Sequence, residues 1–246
     1  MRAVLIGANG RMGRSIAEIA KETAELVIIE TITAPRADLP NALRAAEVVL
    51  DFSRGDAAEA HVEACRKAGK PLLLGTTGHP PTIDRRLDAA AREIALLVAP
   101  NTSLGIAVLR ELVQSAARAL PAQFDVEICE AHHRDKRDAP SGTALALGEA
   151  IAQAQGGTLA QRRGAAREGG AARKPGEIGF AVVRAGEIVG EHEVRFAGNG
   201  EELTLGHRVN DRRVFARGAA RAARWLAAQP PGRYAMSDVL SFRSKA

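Results

Sequence analysis

The stretch RAVLIGANGRMGRSIAEIAK, Arg2–Lys21, decides the fold. Arg2–Ile6 is short and apolar and reads as a buried strand. Gly7-Ala8-Asn9-Gly10-Arg11-Met12-Gly13 follows at once. From about Arg11 to Lys21, Ile16, Ile19 and Ala20 recur on one helical face. Strand, glycine loop and helix in that order open a dinucleotide-binding unit. Glycines let the backbone turn tightly and approach a pyrophosphate, and the helix N-terminus offers free N–H groups and a positive dipole end. The spacing is G-x-x-G-x-x-G rather than G-x-G-x-x-G, so the placement carries more than the motif. A glycine-rich turn without a ligand is the alternative.

Outward from this stretch, strands and helices alternate for about a hundred residues. Strands are expected at Leu26–Thr33, Glu47–Phe52, Pro71–Leu74 and Ile94–Ala99. Helices are expected at Asp56–Ala68, with Asp56 as N-cap and Gly69 as stop, and at Pro81–Arg92. This grammar predicts a Rossmann-like, doubly wound parallel sheet. In such folds the end of the second strand meets the adenosine ribose. Glu30 has the usual distance, but the strand reads on to Thr33, with Arg36 three residues beyond to meet a 2′-phosphate.

Beyond Ser103 the grammar changes. A long helix, Gly105–Leu120, carries Ile106, Leu109, Leu112, Val113, Ala116 and Leu120 on one face. A strand at Phe124–Ala131 and a helix at Ser141–Gln153 follow. Gln155–Gly176, rich in Gly, Ala and Arg, reads as a flexible loop. Strands at Ile178–Arg184, Ile188–Phe196 and Leu203–Val209 are separated by turn signals at Ala185-Gly186 and Gly198-Asn199-Gly200. The reading is a second α+β domain with a mixed, mainly antiparallel sheet. The domains predicted are 1–103, completed by 213–246 through a helix at Val214–Leu226, and 104–212.

Composition narrows the function. The 246 residues are 46% apolar, enough for a large core. No apolar run approaches the roughly 20 residues of a membrane helix, and Gly7, Asn9 and Gly10 interrupt the first one before any secretory pattern forms. A cytoplasmic protein is expected. Cys65 and Cys129 lack partners at metal-ligand spacing and read as small buried hydrophobes. The net charge of +5 is scattered, and aromatics are only 3%. A nucleic-acid surface would want a basic stripe with stacking rings, so a general solvated surface is the better reading, and an anionic small substrate fits the charge equally well.

One segment is too crowded for a turn: EICEAHHRDKRDAPSGTALALGEA, Glu127–Ala150. His132, His133 and Lys136 supply donors or cations. Ser141-Gly142-Thr143 opens a helix whose unpaired N–H groups can hold a carboxylate. Lysine is a compact donor with a proton to give, whereas arginine binds an anion but cannot act as an acid.

This segment resembles, from Glu130 to Ala144, the signature of the 4-hydroxy-tetrahydrodipicolinate (dihydrodipicolinate) reductase family. GANGRMG, the DFS of Asp51–Ser53, GTTG at Gly75–Gly78, APNTS at Ala99–Ser103 and IGFAVVRAGEIVGEH at Ile178–His192 are similar to it in the same order. The resemblance implies NADH or NADPH as cofactor, a small dianionic cyclic imine as substrate, and a homotetramer. It makes His132 and Lys136 the catalytic pair, with Lys136 the proton donor. His133, Gly142 and Thr143 fall on substrate-binding positions. Gly7, Ala8, Asn9, Gly10, Arg11, Met12, Gly75, Thr76, Thr77, Ala99, Pro100, Asn101 and Thr102 fall on the cofactor, while Thr33-Ala34 stands in place of the family's acidic-basic pair at the adenosine ribose. Asp135 and Asp138 are expected to orient the loop. No metal is implied. Two departures stand out: the chain is short between the second strand and Glu47, and His79 follows GTTG where a phenylalanine or tyrosine is common. The rival readings are a reductase of another imino or keto diacid and a dinucleotide-sensing regulator, which would have no use for a proton donor.

Overall fold

The structure, a computed structural model, describes residues 1–35, 38–80, 82–164 and 172–240. In chain order its elements are β1 (Arg2–Ile6), α1 (Arg11–Glu22), β2 (Val27–Ile32), α2 (Leu39–Ala42), β3 (Val48–Asp51), α3 (Ala58–Ala68), β4 (Leu72–Leu74), α4 (Ile83–Ala90), β5 (Ala95–Val98), α5 (Leu104–Ala119), β6 (Asp125–His132), α6 (Gly142–Ala154), α7 (Leu159–Arg162), β7 (Ile178–Arg184), β8 (Gly190–Ala197), β9 (Glu202–Val209), α8 (Arg213–Leu226), β10 (Gly232–Tyr234) and α9 (Met236–Val239). They form two units: Met1–Leu104 with the segment from Arg213 onward, and Gly105–Arg212. Among the described residues no helix is long and apolar enough to cross a membrane.

In the first unit six parallel strands lie in the order β10-β5-β4-β3-β1-β2. Strands β3 and β4 are buried at every position, and β1 from Ala3 on. Such unbroken apolar runs are what a sheet covered on both faces demands. Leu39, Leu43, Val62 and Leu87 from α2, α3, α4 and their flanks cover one face through Val4, Val49, Leu72 and Leu96. Helix α8 packs on α1 and lies against β3, β4 and β5.

The ladder continues one residue past each strand. Gly7 N–H donates to the Ile32 carbonyl at 2.8 Å, Phe52 N–H to Ile6 at 3.0 Å, Gly75 N–H to Asp51 at 2.9 Å and Ala99 N–H to Leu74 at 2.9 Å. The residues that leave the strands therefore stand in a row along the carboxyl edge, where open parallel sheets take ligands.

The second unit is a four-stranded sheet, β7-β6-β8-β9, with β6 and β7 parallel and the other pairs antiparallel. Its two central strands, β6 and β8, alternate between buried and more exposed residues, because helices cover only one face. Val126, Ile128, Val194 and Phe196 meet Ile106, Leu109 and Val113 of α5 and Leu147 and Ile151 of α6 there.

The fold class is the one read from the sequence, and most boundaries agree within two residues. Five local expectations are corrected. Leu112 is 46% exposed, because the buried face of α5 runs through Ile106, Leu109, Val113 and Ala117. Asp56 caps nothing; a 3-10 turn, Gly55–Ala57, precedes α3, and Asp56 pairs with Arg54 at 2.7 Å. Cys129 is only partly buried, on the uncovered sheet face. The Gln155–Gly176 stretch contains α7, held by a Thr158/Gln161 capping box and by Leu159 buried against the core; residues 165–171 lie outside the described residues. Strand β10 was not anticipated, since three residues carry no periodicity. It pairs with β5 and completes the first sheet.

Helix α8 approaches the sheet closely because Ala216, Gly218, Ala219, Ala222 and Ala223 are small and buried. A Cβ on Gly218 would collide with the Thr102 carbonyl. Gly218→Val is expected to lower unfolding stability by about 1–3 kcal/mol, the usual cost of overpacking. Urea unfolding followed through Trp225, the single tryptophan and itself on α8, measures this. An unchanged midpoint would show that the helix does not lie this close to the Thr102 turn.

Candidate active site

In the first unit the glycine loop and its neighbours bound an open cleft of about 690 Å3. Gly10, Arg11 and Met12 line it from the start of α1, Phe52–Asp56 from the end of β3, and Gly75–Gly78 from the end of β4. Gly7 has φ +84°, and a Cβ there would come within 2.6 Å of the Phe52 carbonyl and the Ser53 nitrogen. Only glycine lets the loop lie flat on that peptide. No side chain caps α1 at Gly10, and Gly10, Arg11 and Met12 at its start line the cleft.

The other expected cofactor positions lie along the same edge but do not line this cleft. Ala99 is buried beside Leu74. Asn101 accepts the Ser103 N–H at 2.9 Å, and the buried Thr102 donates its hydroxyl to the Phe215 carbonyl at 2.7 Å. The Thr102 hydroxyl proton is therefore already taken by the protein. Strand β2 ends at Ile32, so Thr33 is the first residue past it, while Glu30 pairs with Val4 inside the strand. Arg36 lies outside the described residues. His79 is tied back to its own loop, with Nε2 2.7 Å from the hydroxyl of the buried Thr76.

In the second unit the crowded segment folds around one carboxylate. Glu130 and His132 are two apart on β6, so both face the covered side of the sheet. Glu130 has no exposed side-chain surface. Its Oε2 accepts from His132 Nδ1 at 2.6 Å and from Arg184 at 2.8 Å. Its Oε1 accepts from Arg184 at 2.7 Å and from the Ser141 N–H at 2.9 Å. The Arg184 fork also donates to the Asp138 carbonyl at 2.6 Å. One buried acid thus joins β6, β7, the His133–Pro140 loop and the entry to α6.

Around it, Ser141 accepts the Ala144 N–H as N-cap of α6 and lies 3.1 Å from His192 Nε2. His192 stands opposite Glu130 on β8, its ring edge-on to His132 at 5.1 Å. Lys136, reached by a turn that starts at His133, donates to both oxygens of Asp138 at 2.8 and 2.9 Å. Asp138 also takes the Gly142 N–H. His133 and Thr143 are half-buried, and Gly142, Arg134 and Arg137 are exposed. Glu130, Ser141, Arg184 and His192 were not singled out in the sequence as site residues. The Glu130-x-His132 spacing on a strand was a readable signal; Arg184 and His192 lie in the Ile178–His192 stretch that resembles the family, but only cross-strand register brings them to Glu130.

The electrostatics follow from burial and pairing. Burial alone would raise the Glu130 carboxyl, but the Arg184 fork, His132 and the Ser141 N–H hold it below its usual range. Glu130 in turn raises Arg184. Burial lowers His132 despite the pull of Glu130. Burial, with His132 adding to it, pushes His192 down to about 4. The Lys136 hydrogen bond lowers Asp138. At neutral pH both histidines are uncharged, and His132 carries its proton on Nδ1, because a carboxylate can only accept.

A histidine lowered by folding stays neutral in the native state where the unfolded chain binds a proton. Its contribution is intact above the ordinary value of 6.5 and is lost as pH falls toward about 4. The denaturation midpoint should drop through that window, and His192→Asn should flatten part of the slope. A midpoint constant between those limits would mean that these rings are not held neutral.

Comparison with known proteins places this geometry. Residues 1–102 match the family model for the dihydrodipicolinate reductase N-terminus, and residues 105–240 that for its C-terminus. A 4-hydroxy-tetrahydrodipicolinate reductase of Caulobacter vibrioides is 46% identical over 99% of this chain and 98% of the relative. One of Anaeromyxobacter dehalogenans is 42% identical over 98% of each. Among solved structures, a dipicolinate-bound dihydrodipicolinate reductase from Paenisporosarcina sp. TG-14 superposes with a TM-score of 0.78 at 21% identity, over 96% of this chain and 97% of that one, a likeness of fold. The chain belongs to the dihydrodipicolinate reductase family.

Proposed function

We propose that the chain reduces 4-hydroxy-tetrahydrodipicolinate to tetrahydrodipicolinate with NADH or NADPH, in lysine and diaminopimelate biosynthesis. The observation that carries this reading is the buried Glu130–His132–Arg184 frame beside the Lys136–Asp138 pair, in a chain of this family. When bound, the reduced nicotinamide supplies the hydride. The first unit fits such a cofactor: the cradle over Gly7, which a Cβ would fill, and the uncapped start of α1 suit a pyrophosphate. Gly7 to Met12 would take the phosphates, Gly75, Thr76 and Thr77 the next part of the molecule, and the backbone of Ala99 to Thr102 the end nearest the chemistry.

In the second unit we assign the substrate's carboxylates to His133, Lys136 and the N–H groups of Gly142 and Thr143. Asp138 already bridges Lys136 and the Gly142 N–H. Arrival of the substrate would exchange one carboxylate for another, so that the ammonium is never left bare. Neutral His132 has no proton on Nε2 to give, whereas Lys136 carries one. Lys136 is therefore assigned as the proton donor and His132 as its polar neighbour, fixed by Glu130. Holding both reactants removes much of the entropic barrier. We place the protein in the cytoplasm. A homotetramer contact is assigned to the uncovered sheet face, where Val183 is 51% exposed and joins Cys129, Ala131 and Ala181 in a groove of about 520 Å3.

Lys136→Ala should lower kcat by about 10²–10⁴-fold, the usual share of general acid catalysis, and leave the cofactor KM nearly unchanged. Near-normal kcat in substrate-dependent NADPH oxidation would remove the assigned role. For the cofactor, Thr33 at the end of β2 offers a hydroxyl where a carboxylate would repel a 2′-phosphate. NADPH is expected to serve at least as well as NADH. Thr33→Asp should shift the kcat/KM ratio toward NADH by about 1–3 kcal/mol. Strong NADH selectivity in the parent, or an unchanged ratio in the variant, would point to Glu30 instead.

A further inference from the structure

Asp51 closes β3 with its side chain wholly buried, and its partners all come from nearby residues. Its Oδ1 accepts both the Ser53 N–H at 2.9 Å and the Ser53 hydroxyl at 2.6 Å. Its Oδ2 lies 2.7 Å from Nδ1 of His61, itself buried on α3. The residue types are those of a nucleophilic triad, but the geometry is not. Nδ1 of His61 faces both Asp51 at 2.7 Å and the Ser53 hydroxyl at 3.4 Å. A relay needs the two ring nitrogens to serve different partners. The arrangement is a clamp.

What it clamps is one wall of the dinucleotide cleft. The chain leaves the sheet at Asp51, His61 on α3 is bonded back to that residue, and Phe52–Asp56 between them line the cleft. The segment touches both glycine loops. A Cβ on Gly7 would meet the Phe52 carbonyl at 2.6 Å, one on Gly75 would strike the Phe52 ring, and one on Gly55 would meet the Gly78 carbonyl carbon at 2.6 Å. The span between the loops is therefore set by a turn whose two ends are tied together through a buried acid and imidazole.

We infer that Asp51 and His61 are a positioning pair for the cofactor, holding the Phe52–Asp56 turn at the spacing the dinucleotide needs. This rests on the reading that the first unit binds NADH or NADPH. The test uses the full-length chain and titrates NADPH and NADH by their fluorescence, first in the parent. His61→Leu removes the ring donor, while His61→Asn keeps a nitrogen donor at nearly the same place. His61→Leu should weaken both dinucleotides by about tenfold, what a hydrogen bond to a charged group is worth. It should raise the dinucleotide KM with kcat at saturation nearly kept, and His61→Asn should restore binding to within about threefold. If His61→Leu does not fold, Ser53→Ala, which removes the turn's own hydroxyl tie to Asp51, should weaken both dinucleotides by a similar factor. Unchanged affinity in the variant that folds, or equal loss in the Leu and Asn variants, overturns the inference. A parent that binds neither dinucleotide overturns the underlying reading instead.

Discussion

The second unit is organised by the negative charge of Glu130. A carboxylate shut away from water is costly unless its lone pairs are met by donors. Here four donors meet them, two from Arg184 and one each from His132 and Ser141. The three residues that supply them stand on β7, on β6 and at the entry to α6. The requirement that the charge be satisfied thus fixes the β6–β7 register near His132, the entry to α6 and the tautomer of His132. Removing one partner of such a buried pair typically costs about 3–5 kcal/mol, because the other charge is left unmet. Lys136 sits outside this frame, with an exposed partner it can exchange. Glu130, His132 and Ser141 of the frame are buried, while Lys136 is half-buried.

The first unit works by absence of side chains. Gly7, Gly55 and Gly75 let three turns close on one another without a Cβ between them. Polar ties then hold the turns from below: Asp51 to His61 and Ser53, Asn101 to Ser103, and Thr102 to α8. Buried hydroxyls and carboxylates along a carboxyl edge thus shape loops. The Thr102 hydroxyl, bonded to the Phe215 carbonyl, is one such tie.

Much of this was legible in the sequence, for identifiable reasons. GANGRMG sits between a strand and a helix, and the buried strands of the parallel sheet are nearly unbroken apolar runs. Donors crowd into His132–Lys136 ahead of a helix start. What stayed hidden depended on contacts distant in sequence. Arg184 lies 54 residues from Glu130, and Phe215 lies 113 from Thr102. No local pattern encodes such pairs. Leu112 shows a different failure, since a stripe drawn one position too wide takes in an exposed leucine. Helix α7 shows a third: its Thr158-x-x-Gln161 capping box was present but was masked by surrounding glycine and alanine.

The central claim is that Glu130 fixes His132 as a neutral ring with its proton on Nδ1, leaving Lys136 to supply the proton for reduction. The ring nitrogen shifts of His132, measured by NMR on nitrogen-15-labelled protein at neutral pH and assigned through His132→Asn, test it most directly. The account predicts a protonated Nδ1 and a bare Nε2. A proton on Nε2 with Nδ1 bare, or an imidazolium with both protonated, would contradict it.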